Sequence, residues 1–293
     1  MLVDPILYAA LAAGYLFGRF ERRRSPWVGR ATLATIVVLV FLLGTSFHLD
    51  SESALGGAIL PSLSLALLIL GLTAAIYLLL LRVGPSAPGA DLSAPSQGPG
   101  LVSLLLLGAL VAGGLAGYVI PWPLDGGVTF ALYLLLFLVG FEIELHLSAV
   151  RRAWRPLSAA LGGAVVAAFL FAVVTNSTLS VTLATTFAFG WYTLSGPLVA
   201  ARAGAALGLF AFLTNFFREN LTMLTAPWAG RRMRGEGLTA LGGATAMDTT
   251  LWFVVRYGDP EAGGLALTSG LVLSVLASLL LPLLLALPAS TIK

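Results

Sequence analysis

Three charged side chains lie inside long apolar stretches of this 293-residue chain: Arg218, Glu219 and Asp248. Placing a charge at membrane depth is costly, and such charges usually bind an ion, a proton or a substrate. A buried carboxylate without a basic neighbour tends to hold a proton, and it attracts any cation that reaches it. These residues therefore predict a site for protons and cations within a membrane.

Two residue triplets share the spacing i, i+3, i+4, which places each triplet on one face of a helix. They are Asn215, Arg218 and Glu219, and Thr245, Asp248 and Thr249. We expect all six to bind substrate, and Asp248 and Glu219 to couple protons as well. The structural alternatives are an ion pair that braces two helices, with Arg218 and Glu219 neutralised through other helices, and a neutral Asp248 hydrogen-bonded to a nearby break in the backbone.

A polar break bounded by glycines interrupts the apolar segment 179–203 at Gly190–Pro197. Such a break is tolerated at membrane depth only where it lines a cavity or is buried in protein. Helix ends there can hold an ammonium or a carboxylate, and an aromatic ring can stack on a cation. We therefore add Trp191, Tyr192 and Ser195 to the expected substrate-binding residues, the alternative being an aromatic belt at the interface.

Two further acids lie near the ends of apolar segments. Asp50 follows the second segment, and Glu142 follows Gly140 in the fifth. We expect either one to assist proton coupling, the alternative being an ordinary solvated helix end.

The composition excludes several classes of protein. Apolar residues make up 58% of the chain and charged residues only 10%, whereas soluble domains carry about 25% charge. A soluble, disordered or nucleic-acid-binding protein is therefore excluded, and an integral membrane protein is predicted. With no cysteine and only two histidines, we expect neither a metal site nor a cofactor.

Enzyme motifs are weak in this chain, and we do not expect an enzyme. Tyr257–Glu261 together with Asp248 faintly suggests an intramembrane aspartyl protease, but Asp259 falls in a predicted surface turn. Ser46 and Ser195 lack the G-x-S-x-G context of serine hydrolases. A membrane scaffold without transport activity is a further alternative.

Apolar segments fill most of the chain and predict an all-α, polytopic integral membrane protein. Arginine clusters place loops 19–30, 151–155 and 231–234 in the cytoplasm and the N-terminus outside. Three apolar segments separate the last two clusters, so one of them does not cross, and 179–203 is the best candidate. Segment 238–262 is similarly broken. The prediction is about eight full transmembrane helices, two re-entrant or broken segments, and both termini outside.

An internal repeat is expected in the first half of the chain. Leu11–Asp50 resembles Leu110–His146, with Gly14 matched to Gly117 and Gly44 to Gly140. Each unit would hold three spans, which inverts the second relative to the first, as in secondary transporters. The alternative is chance similarity between leucine-rich helices. We divide the chain into a first repeat (1–82), a flexible loop (83–100), an inverted repeat (101–176) and a transport region with two broken segments (177–293).

Three sequence blocks carry a family resemblance by their residues, order and spacing. They are FGWYTLSG at Phe189–Gly196, NFFRE at Asn215–Glu219 and LGGATAMDTT at Leu241–Thr250, with weaker similarity at Phe41–Ser46 and Phe137–Glu144. Together they resemble the lysine exporter LysO family.

The resemblance implies export of L-lysine and its toxic analogue thialysine across the inner membrane, in antiport with protons. It makes Asp248 the strongest match to a family acid, with Asp50 or Glu142 as candidates for the second. The expected partners are lysine, protons and membrane lipid, and no nucleic acid. Ornithine or arginine as substrates and a homodimer stay open. The alternative in the same class is a sodium or other cation/proton antiporter.

Overall fold

The computed structural model describes residues 5–20, 26–47, 53–80, 99–117, 125–142, 153–247, 249–258 and 262–287, and the regular elements there are helices. The first half contains α1 (Pro5–Phe20), α2 (Pro26–Phe47), α3 (Ser53–Leu80), α4 (Pro99–Gly117), α5 (Asp125–Glu142) and α6 (Trp154–Thr175). The second half contains α7 (Leu179–Thr186), α8 (Tyr192–Ala203), α9 (Ala205–Ala229), α10 (Gly235–Gly242), a 3-10 helix (Gly243–Met247), α11 (Leu251–Tyr257) and α12 (Ala262–Ala286). Helices suit this apolar chain because they satisfy backbone hydrogen bonds within each segment.

Three helices among the described residues are long and apolar enough to cross a membrane unaided: Gly57–Leu79, Trp154–Thr175 and Ala262–Ala286. Shorter apolar helices span Arg30–Leu42 and Gly126–Leu138. The chain is thus an all-helical integral membrane protein, as its composition predicted.

The first two helices pair crosswise with α4 and α5. Helix α1 packs on α5, and α2 packs on α4. A methyl group on Gly14 would overlap the carbonyl oxygen of Phe137, and one on Gly113 would overlap that of Phe41. Small residues allow such close backbone approach between helices in a membrane, where packing provides much of the association energy.

Helices α3 and α6 connect this four-helix group to the second half of the chain. Helix α3 packs on both α6 and α9, and α6 packs on α7 and α10. Gly163 of α6 lies directly against Thr73 of α3. The two helices form a wall on which the broken segments rest.

The broken segment 179–203 is folded back on itself, and we call it hairpin 1. Its arms are α7 and α8, and its tip is the turn at residues 187–191. Thr178, before α7, lines the same cavity as Ala206 at the start of α9, and Gly208 contacts Ala200 of α8. Both ends of hairpin 1 therefore lie at the same end of α9.

The break in hairpin 1 comes a few residues earlier than the sequence predicted. Helix α8 runs from Tyr192 through Pro197, so the predicted break at Gly190–Pro197 is mostly helical. The turn is made instead by Phe189 and Gly190, with φ of 52° and 96°. Positive φ ends a helix more sharply than a proline within the helix does.

Segment 235–257 also folds back on itself and forms hairpin 2. Its arms are α10 and α11, and its tip is the 3-10 helix Gly243–Met247. A methyl group on Gly258 would lie 2.5 Å from the Cα of Gly235, so the two ends of the hairpin meet. Gly230 contacts Tyr257, which places this base at the end of α9 opposite to hairpin 1.

The base of hairpin 2 is tied to the wall of α3 and α6 by a polar cluster. The Glu236 carboxylate lies 3.6 Å from the Arg155 guanidinium and accepts a 3.4 Å hydrogen bond from the Tyr77 hydroxyl. Tyr77 is fully buried. The members of this cluster are far apart in the chain, so no spacing in the sequence indicates it.

Candidate functional site

The tips of the two hairpins meet beside the middle of α9, and we call this meeting point the junction. The Ala244 amide of hairpin 2 donates a 2.9 Å hydrogen bond to the Phe189 carbonyl of hairpin 1. A methyl group on Gly190 would lie 3.3 Å from Cγ2 of Thr245 and 3.5 Å from the Gly242 carbonyl oxygen. The backbones of both tips are thus in close contact.

The junction requires unusual backbone conformations. Phe189 has a left-handed φ of 52°, and Gly243 has a φ of 64°. A Cβ on Gly243 would also lie 2.5 Å from the Phe189 carbonyl oxygen and 2.8 Å from Nη2 of Arg218. Only glycine fits at position 243. The left-handed conformation of Phe189 is strained, and such strain is concentrated at functional sites.

Asn215 of α9 fastens the tip of hairpin 1. Its Oδ1 accepts a 2.8 Å hydrogen bond from the Gly190 amide. Its Nδ2 donates to the Thr185 carbonyl at 2.9 Å, to the Ala211 carbonyl at 3.0 Å and to the Ser195 hydroxyl at 3.2 Å. The amide is therefore satisfied by protein groups, which makes Asn215 and Ser195 positioning residues in this conformation.

Arg218 lies at the centre of the junction and is fully buried. Within the part of the chain that the structure describes, none of its three guanidinium nitrogens has a hydrogen-bond partner. Its nearest aromatic neighbour is the Phe189 ring, whose centroid lies 5.9 Å from Cζ. Among the described residues, these nitrogens therefore form no hydrogen-bonded ion pair that would brace two helices.

Glu219 and the threonines of hairpin 2 complete the polar surroundings of the junction. Glu219 is buried, with 2% of its surface exposed. The Thr245 hydroxyl donates to the Gly242 carbonyl at 3.0 Å and lies 3.5 Å from the Thr250 hydroxyl. Thr249 is half-buried beside this pair.

The two aromatic candidates of hairpin 1 differ in their surroundings. Tyr192 is buried and packs edge-on against Phe212 and Phe216 of α9, with centroid distances of 5.2 and 5.6 Å. Trp191 is half-buried and packs against the hydrophobic core. In these positions both side chains brace hairpin 1 against its neighbours, and Trp191 is the last residue of the tip.

The side chains of three candidate acids lie outside the described part of the structure. Asp248 and Asp50 lie outside the described residues, and Glu142 is the last residue of α5 with a side chain outside the description. The neighbours of Asp248 in the chain, Met247 and Thr249, belong to hairpin 2 near its tip.

Helix ends give the junction a mixed electrostatic character. Helices α7 and α10 both end there, and α8 begins there. The carboxyl ends of helices carry partial negative charge and the amino ends partial positive charge. The junction therefore offers surroundings for both an ammonium and a carboxylate group, with the Arg218 guanidinium as its buried cation.

Sequence reasoning missed Phe189, Gly243 and Thr185 as members of the site. Gly243 belongs to the block Leu241–Thr250, and the consecutive glycines Gly242 and Gly243 were a usable signal of a sharp turn. Phe189 and Thr185 contribute through backbone carbonyls, which no residue type reveals.

Comparison with known proteins gives the family. The family model for the lysine exporter LysO matches residues 107–285, more than half of the chain. The chain is 31% identical to the lysine exporter LysO of Escherichia coli strain K12 over 190 residues, which cover 62% of this chain and 63% of that protein. It is 29% identical to a provisionally named lysine exporter of Haemophilus influenzae over 192 residues, which cover 62% of this chain and 94% of the relative. No solved structure matches.

The match includes both hairpins, α9 and most of α12, so the junction lies within the family region. The chain belongs to the lysine exporter LysO family.

Proposed function

We propose that this protein exports L-lysine across the inner membrane in exchange for protons, and that lysine binds at the junction. The observation that carries the proposal is the fully buried Arg218 guanidinium without a hydrogen-bond partner among the described residues. An unpaired buried charge is costly, and an anionic group that enters the junction would relieve that cost. The α-carboxylate of an amino acid is such a group.

Carboxylates supply the other half of the proposed site. Glu219 is buried one residue from Arg218, and we assign Asp248 the main role in binding the side-chain ammonium or a proton. Asp50 and Glu142 are the candidates for a second proton-coupling acid. Thr245, Thr249 and the helix ends at the junction would add polar groups around lysine, and thialysine would bind in the same way.

Proton exchange follows from the electrical cost of moving a cation outward. Lysine carries one net positive charge, and moving it against an inside-negative potential costs about 2.3 kcal/mol per 100 mV. Uniport would therefore run inward, and export needs coupling. A carboxylate that holds either a proton or an ammonium, but never both, exchanges one for the other. One-for-one exchange would be electroneutral.

The hairpins support a topology with eight full spans. Each hairpin has both ends on one side, hairpin 1 at the start of α9 and hairpin 2 at its end. If neither hairpin crosses, the chain crosses at α1–α6, α9 and α12. Loops 19–30, 151–155 and 231–234 then all face the cytoplasm, as the positive-inside rule requires, and both termini lie outside.

The packing of the first six helices supports the inverted repeat. If α1–α3 correspond to α4–α6, the contact of α1 with α5 corresponds to that of α4 with α2. Phe41 then corresponds to Phe137, as in the predicted alignment. The close contacts of Gly14 and of Gly113 then correspond to each other in the two repeats. Gly113 lies one helical turn before Gly117, the residue that the sequence alignment matched to Gly14. Repeats of this kind suit alternating access, with the hairpins as the moving parts.

Transport by the purified protein tests the proposal. Proteoliposomes loaded with labelled lysine and given an inward proton gradient should release lysine, and Asp248→Asn should abolish the release. Asp259→Asn changes an acid in a predicted surface turn and serves as the matched control, with release retained. Absence of lysine efflux in both orientations, with arginine and ornithine also tried, would refute the exporter. Proton release on sodium addition, and none on lysine, would favour the sodium antiporter.

A further inference from the structure

A cavity of about 400 Å³ separates the base of hairpin 1 from the wall of α3 and α6. Its walls come from four directions: Gly57 and Pro61 of α3, Phe171 of α6, Thr178 before α7, and Leu207 and Phe210 of α9. The base of hairpin 2 lies at the opposite end of α9, where Glu236 ties it to Tyr77 and Arg155. The cavity therefore lies at the end of the membrane that the topology places outside.

The cavity is apolar, and contacts between the helices that form its walls hold those helices in place. The rings of Phe171 and Phe210 stack with centroids 5.7 Å apart and meet at its wall. The Ser62 hydroxyl donates a 3.2 Å hydrogen bond to the Phe210 carbonyl and thereby fixes α9 against α3. Among the described lining residues none is charged, and the polar ones are hydroxyl side chains near Thr178. Lysine, with one carboxylate and two ammonium groups, would find no counter-charge among these residues.

The cavity is continuous with the surface that faces lipid. Leu60 on α3 is 73% exposed and Val174 on α6 is 79% exposed, and both belong to helices of membrane-spanning length. Leu207, which lines the cavity, is itself 39% exposed. Apolar side chains exposed on such helices contact hydrocarbon, so lipid chains border the mouth of the cavity.

We propose that an acyl chain of a membrane phospholipid occupies this cavity and wedges hairpin 1 apart from α3 and α6. The volume lies within the roughly 300–1,000 Å³ of pockets that take small organic ligands, and the apolar walls suit a hydrocarbon chain. The hydroxyl groups near Thr178 lie at the end expected to face the membrane surface, where the glycerol and headgroup would be. The occupant would support hairpin 1 without touching the junction.

Two glycines of α3 give a matched pair of test variants. A methyl group on Gly57 meets no atom within 4 Å, and the same is true of Gly71 on the same helix. Gly57 lines the cavity and Gly71 does not. Gly57→Leu therefore fills the cavity, whereas Gly71→Leu makes the identical change on an exposed surface. Ala206→Leu narrows the cavity from the opposite wall and serves if Gly57→Leu does not fold.

The experiment uses the whole protein in nanodiscs that contain phosphatidylethanolamine with a diazirine at the end of one acyl chain. After illumination, mass spectrometry should find labelled peptides around residues 57–61 and 206–210. Labelling there should fall at least tenfold in Gly57→Leu or Ala206→Leu and stay unchanged in Gly71→Leu. Labelling spread evenly over exposed helices and unaffected by Gly57→Leu would mean annular lipid only and overturn the proposal. Labelling displaced by lysine would overturn it as well, because the cavity would then belong to the substrate path.

Discussion

Replacing Arg218 with methionine separates a substrate-binding arginine from a structural one. Methionine keeps an unbranched side chain of similar reach and removes the charge and its hydrogen-bond donors. If the guanidinium awaits a substrate carboxylate, the empty protein loses an unsatisfied buried charge and gains stability. If the guanidinium belongs to a buried ion pair, its removal leaves the partner charge unpaired and lowers stability.

The two cases differ in sign and in size. Removing an unsatisfied buried donor should raise the free energy of unfolding by about 1–3 kcal/mol. Losing the contact with the Phe189 ring should lower it by about 0.5–2 kcal/mol. The net change in the free energy of unfolding should thus be near zero or positive. Breaking a buried ion pair instead costs about 3–5 kcal/mol.

Lysine affinity provides the second measure of the same substitution. Two charge-assisted hydrogen bonds to the carboxylate, each about 1.5–3 kcal/mol, amount to about 3–6 kcal/mol. At 1.4 kcal/mol per tenfold, their loss weakens binding roughly 100- to 20,000-fold. We therefore expect Arg218→Met to bind lysine barely, if at all, at concentrations that saturate the wild-type protein.

The assay combines SDS titration in mixed micelles, for the free energy of unfolding, with calorimetric lysine titration. Arg232→Met is the matched control, because Arg232 is exposed and stacks over Trp228 with a Cζ-to-centroid distance of 4.3 Å. It should lower stability by no more than about 1 kcal/mol, the loss of an exposed cation–π contact, and leave lysine affinity unchanged. A loss of 3 kcal/mol or more for Arg218→Met, with lysine affinity intact, would refute the carboxylate-binding role.

Three further predictions concern the junction and the helix packing. Asn215→Ala leaves the Gly190 amide and the Thr185 carbonyl without their partner, so unfolding should become easier by about 1–3 kcal/mol and lysine efflux should fall; unchanged efflux would contradict this. Gly243→Ala should abolish lysine efflux, because its Cβ would press on the Phe189 carbonyl and an alanine would be strained at this positive φ. Gly108→Ala is the control: its added methyl group has no atom within 4 Å, so efflux should not change. Gly113→Leu should separate α4 from α2 and so lower the yield of folded protein in the membrane below that of Gly108→Leu. Equal yields of the two variants would refute the close packing of α4 on α2.

The sequence predicted the class of fold and the location of both broken segments. Low charge and long apolar stretches indicate membrane helices whatever their neighbours, because each helix satisfies its own backbone. The conflict between arginine clusters and segment count pointed to a segment that does not cross, and the folded-back shape of 179–203 supports that interpretation. The exact break in hairpin 1 was misjudged, because φ at Phe189 depends on contacts with hairpin 2.

The site was predictable only as far as residue type and helical spacing carry information. Arg218 and Asn215 share one face of α9, as their spacing indicated, and both reach the junction. Their roles differ because Asn215 is satisfied by backbone groups of hairpin 1, whereas the Arg218 nitrogens have no hydrogen-bond partner among the described residues. That distinction depends on contacts between segments far apart in the chain. The carbonyl of Phe189 joins the site for the same reason.

The central claim is that Arg218 holds the carboxylate of the exported amino acid. The most direct test compares calorimetric binding of L-lysine with that of 1,5-diaminopentane, which is lysine without its carboxylate. The wild-type protein should bind lysine at least 100-fold more tightly than the diamine, and the difference should disappear in Arg218→Met. Equal affinity of the wild-type protein for both compounds would contradict the claim.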